Sequence, residues 1–172
     1  MKLKTLLGTV VAFVLGLTVG FAGKVAYEES VLKPWAWAPG DGPIIINCYG
    51  EDFPEIQIVK AIDYWVLRGE SVAFYEMNPP EAVCANEHIN DFIILRKAPP
   101  GYLNEATIAA TTRRTQLFNM RSAVIHFRPG SYNLDLIIEH ELGHAFGYGH
   151  IEEEGHIMHP QYNKMGPRWW IP

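Results

Sequence analysis

His140-Glu141-Leu142-Gly143-His144-Ala145-Phe146-Gly147-Tyr148-Gly149-His150 is the stretch on which the reading of the chain turns. It carries the pattern H-E-x-x-H-x-x-G-x-x-H. On a helix, residues four apart share a face, so His140 and His144 can hold one ion between two imidazoles. Glu141 follows His140 directly, so its carboxylate falls beside the ion, where a general base for a metal-activated water belongs. Gly147 can take a positive φ without a Cβ clash, which lets the helix stop and the chain swing away. The swing lets His150 arrive as a third ligand from outside the helix. Three protein ligands with a fourth position open is the catalytic arrangement of zinc, whereas structural zinc is closed by four. The two-histidine core alone arises by chance on helices unrelated to metal. Each further fixed glycine or histidine makes a chance surface helix a poorer explanation.

Downstream, Ile157-Met158-His159-Pro160-Gln161-Tyr162 resembles the Met-turn of the metzincin metalloproteases. The eight-residue step from His150 to Met158, with the order Met-x-Pro-x-Tyr, is most similar to the matrixin branch. The resemblance implies that Met158 forms an apolar floor beneath the three histidines. It also implies that Pro160 to Tyr162 line the pocket for the substrate side chain after the scissile bond. Tyr162 is read as a wall of that pocket rather than as a helper of the tetrahedral intermediate. The resemblance further implies one catalytic zinc ion, an α+β metzincin fold and a zinc metalloendopeptidase acting on peptides or proteins. Two other classes share the motif: a catalytically silent zinc-holding protein of the same fold, and a hydrolase of cell-wall peptides.

The chain has 172 residues, 48% of them hydrophobic, enough for one domain with a core. Its net charge is −5. The first 23 residues carry Lys2 and Lys4 and no acid, so without them the chain is more acidic still. That balance argues against a nucleic-acid partner. Residues 5–23 hold no charge and follow a basic start, as an export signal or a membrane anchor does. Gly20 and Ala22 suit cleavage after Ala22, while the length of the run suits a span; both readings stand. Either way residues 24–172 are expected outside the cytoplasm, secreted, periplasmic or anchored. Residues 24–43, with Pro34, Pro39, Pro43 and Gly40-Asp41-Gly42, read as a linker ahead of a catalytic domain over 44–172. No cysteine lies in that linker to cover a metal, and Trp35 and Trp37 are candidates to pack on the domain.

Residues 44–48 read as the first strand and 55–68 as a helix, with Pro54 at its start and Ile58, Ala61, Ile62 and Trp65 at helical spacing. The string from Val59 to Trp65 is similar to the first helix of the matrixin-type domain. Further strands are expected over 71–75, 91–96 and 123–127, with 107–113 as an antiparallel edge strand beside the cleft. The motif helix is expected over 134–146, capped by Ser131 or Asn133. The implied sheet is twisted and mostly parallel. The stretch after Met158 is short for a further helix, so the lower subdomain is expected to be abbreviated, with Trp169, Trp170 and Ile171 covering the core or, as the alternative, meeting a membrane interface. The resemblance spans about residues 44–162.

Cys48 and Cys84 are the only cysteines. In an oxidising compartment they can bridge, closing a loop of about 36 residues; two buried thiols are the alternative. His126-Phe127 resembles a matrixin strand whose histidine binds a structural zinc. The partners of that site have no match here, and Arg128 stands where the family places a calcium-binding Asp. His126 is therefore expected to be a strand histidine satisfied by a neighbour. His156 and His159 read as loop and rim residues, His156 being the fallback third ligand.

Overall fold

A computed structural model describes residues 33–40 and 42–169. The segment 5–23, together with Trp170 and Ile171, lies outside the described residues. Among the described residues no helix is long and apolar enough to cross a membrane.

Ile44-Ile45-Ile46 is a β-branched run that cannot stay in water, and it forms the centre of β2 (Ile44–Asn47). It pairs in parallel with β3 (Phe74–Glu76) on one side and β4 (Phe92–Lys97) on the other. β4 pairs in parallel with β6 (Asn119–Phe127), and β6 takes β1 (Ala36–Trp37) in parallel along the same edge. β5 (Ala109–Gln116) is antiparallel to β6 and closes a hairpin with it. The result is a six-stranded, mostly parallel sheet with one antiparallel edge strand.

Register explains which side chains are inside. Ile45, Ile93 and Ala123 lie opposite one another across three strands and face the main core. The next row, Ile46, Ile94 and Val124, faces the opposite side and makes a second, smaller cluster with Val83 and Ile89. Such two-faced burial is why these strands read as continuous apolar runs rather than alternations. The second face is roofed by the loop around α2 (Glu81–Cys84), which a disulfide between Cys48 and Cys84 fastens to the end of β2.

The main face is covered by α1 (Glu55–Val66) and α3 (Ile137–Phe146). Pro54 precedes α1 with φ −65°, already suited to a helix start. Ile58, Ala61, Ile62 and Trp65 form its buried stripe. Trp65 is the hub: its indole N–H donates to Glu139 O at 2.7 Å, and its ring stacks on Tyr148 at 5.0 Å and meets Trp169 at 4.9 Å. One residue from α1 thus touches the motif helix, the turn after it and the C-terminal tail. Truncating it to alanine is expected to cost about 3–5 kcal/mol.

Three elements depart from the sequence expectation. The stretch ending in Trp37 forms β1, and Trp37 Nε1 donates to Ala145 O at 3.0 Å. The β5–β6 hairpin is longer than expected at its tip, because polar Arg114, Thr115 and Gln116 extend β5 without hydrophobic alternation, pairing with Ser122, Met120 and Asn119 of β6. Neither Ser131 nor Asn133 caps α3. They form a 3-10 turn, and the chain enters α3 through Leu136 at φ 65° with no side-chain cap.

Candidate active site

α3 carries the histidine motif on the side that faces the cleft below β5. Its last turn closes on Gly147 at φ 108°, with Gly147 N–H donating to His144 O and Tyr148 N–H to Gly143 O. A Cβ at Gly147 would lie 2.0 Å from Trp35 O, so glycine is required by the close approach as well as by the backbone angle. The chain then turns back and sets His150 opposite the helix.

Three imidazoles converge. His144 Nε2 lies 3.1 Å from His140 Nε2 and 3.1 Å from His150 Nε2, and the ligand atoms of the group lie within 4.8 Å of one another. Two of the rings have their tautomer set by backbone. His140 Nδ1 donates to Ile157 O at 2.8 Å, and His144 Nδ1 donates to Tyr148 O at 2.9 Å. A carbonyl only accepts, so each Nδ1 holds the proton and each Nε2 presents a lone pair. Lone pairs facing each other at that distance repel unless a cation lies between them. The residues therefore fit a metal ion, and three neutral imidazole nitrogens suit zinc. Burial lowers the pKa of His140 to about 4 and of His144 to about 3, which keeps both neutral. Among the described residues this is the one cluster of three or more candidate ligands.

Glu141 is 4% exposed and lies beside the triad at the cleft. Burial pushes its carboxyl up to about 7, against the pull of a hydrogen bond from Thr111. Met158 is fully buried, and Gly143 makes room for it: a Cβ there would lie 2.4 Å from the Met158 sulfur. The cleft has a volume of about 780 Å³ and runs between β5 and the loop holding Pro160, Gln161 and Tyr162.

The other histidines are elsewhere. His156 is buried against Trp169 and takes no part in the triad. His88 Nδ1 sits 2.9 Å from Ser122 Oγ. His126 is covered by the Tyr102 ring at 4.2 Å, but its buried Nδ1 has no hydrogen-bond partner among the described residues, contrary to the satisfied strand histidine expected.

Two features of the site were not read from the sequence. Thr111 reaches Glu141 from β5. Arg113, two residues on, stacks on Trp35 at 4.4 Å, and its guanidinium lies 3.4 Å from both His144 O and Tyr148 O. The alternation of β5 puts Ala109, Thr111 and Arg113 on one face, and that was the available signal.

A family model described as Matrixin matches residues 26–169. No curated protein matches the chain.

Proposed function

Since the chain belongs to the matrixin family, a family of zinc metalloendopeptidases, we propose that it cleaves peptide bonds at the His140, His144 and His150 centre with Glu141 as general base. The observation that carries this reading is the convergence of three imidazole nitrogens next to a buried carboxylate. A zinc ion bound there supplies a Lewis acid that polarises the scissile carbonyl and acidifies the attacking water.

The chain's own groups do the rest. Ile157 O and Tyr148 O hold two imidazoles in the ligating tautomer. Glu141 takes a proton from the attacking water and returns it to the leaving amine. The edge of β5 not used by β6 offers backbone groups to an extended peptide. Pro160 and Tyr162, with Ile108 and Met165, line the cleft and suit an apolar side chain after the scissile bond. The Cys48–Cys84 disulfide supports export to an oxidising compartment, with residues 5–23 acting as signal or anchor.

The test is metal analysis combined with a peptide-library digest, with and without chelator. Glu141→Gln is expected to keep one zinc per chain and to lower turnover by about 10²–10⁴-fold. Full activity in that variant would refute the base assignment. Zinc uptake with no cleavage of any peptide would favour the silent zinc-holding protein.

A further inference from the structure

Thr111 stands near the middle of β5, opposite Ile125 of β6. Its hydroxyl donates to Glu141 Oε2 at 2.5 Å and lies 3.1 Å from the main-chain oxygen of the same residue. A hydroxyl has one proton, and the shorter, charge-assisted contact takes the larger share of it. Glu141 is almost wholly buried, and among the described residues no other donor reaches its carboxylate. One carboxylate oxygen is thus fixed, and the other is left without a donor from the described residues.

We infer that Thr111 is a positioning residue: its hydroxyl orients the Glu141 carboxylate against β5, so that the strand an extended peptide pairs with also aims the base at the scissile bond. The inference rests on the reading of Glu141 as general base. A base must come within about 2.6–3.2 Å of the proton it removes. A misplacement of about 1 Å is worth on the order of a hundredfold in rate. A glutamate side chain has three torsions, and packing alone does not fix the last one. One short hydrogen bond from a strand does.

A purely structural threonine would behave differently. Threonine and valine have the same branched shape, and both suit a half-buried strand. If Thr111 only filled space, Thr111→Val would be almost silent. If the hydroxyl matters, valine removes it at constant shape and serine restores it at smaller size.

The experiment uses the full zinc-loaded chain in detergent micelles and a peptide selected from the library digest. Thr111→Val is expected to keep one zinc per chain, to keep KM within about twofold and to lower kcat by about 10–100-fold. Thr111→Ser is expected to recover most of the lost kcat. A second readout does not depend on turnover. The Thr111 hydroxyl proton is expected as a slowly exchanging proton resonance, absent in Thr111→Val and displaced in Glu141→Gln. Wild-type kcat in Thr111→Val, equal losses in the valine and serine variants, or no such resonance in the wild type would each overturn the inference. A wild-type chain that binds zinc but cleaves nothing would remove the base itself, and the wild-type rate alone separates that failure from a failure of Thr111.

Discussion

His140 and His144 differ from His156 and His159 in which atoms of the backbone they meet. The first pair gives its Nδ1 protons to carbonyl oxygens of Ile157 and Tyr148. The second pair receives at Nδ1 the N–H groups of Met158 and Gln161. The consequence is opposite tautomers. In the first pair the far nitrogen, Nε2, is a lone pair; in the second it carries the proton. All four rings are within twenty residues of chain, and burial lowers the pKa of His140, His144 and His156 alike. Burial and nearness along the chain therefore do not separate these two pairs, and the peptide group behind the ring does.

The comparison breaks first at the ligands. His144→Ala removes the nitrogen shared by both 3.1 Å approaches. It is expected to abolish stoichiometric zinc and reduce peptide cleavage to background, as measured by metal analysis beside the digest. His150→Ala should do less to the metal, because this ring is the exposed member of the three. Partial zinc retention under mild chelation, with activity largely lost, is the expected pattern. His159→Ala sharpens the contrast from the other side. It deletes the acceptor for Gln161 N–H and is expected to lower stability by about 1–3 kcal/mol in denaturant melts while zinc stays at one per chain. Loss of zinc in His159→Ala, with the fold intact, would end the distinction between the two pairs. The smallest effect is expected from Trp37→Phe, which removes the indole bond to Ala145 O behind the motif helix. A loss of about 0.5–1.5 kcal/mol, with zinc content unchanged, would mark that contact as support for the helix rather than for the metal.

What could be read in advance follows from distance along the chain. The triad and Glu141 lie within one short stretch, and helical periodicity plus a single glycine places them, whereas Met158 was singled out by the resemblance to the Met-turn. The central strands were legible for the same reason, since Ile44-Ile45-Ile46 and Phe92-Ile93-Ile94-Leu95 need only their own composition. Thr111 was not, because its partner is thirty residues away and reaching it depends on the register of β5 against β6. Trp37 was expected to pack on the domain and does, but its acceptor, 108 residues on, was not legible. The entry to α3 escaped because no capping side chain marks it; a left-handed Leu136 does the work that Ser131 or Asn133 was expected to do. Local rules locate the chemistry, while long-range pairing decides how it is held.

The seat of Gly147 on the Trp35 carbonyl has a consequence for timing. The bend that delivers His150 is buttressed by a residue synthesised more than a hundred positions earlier. Contacts so far apart in sequence form late during folding. The bend that carries His150 is therefore set only after residues at both ends of the described chain have met.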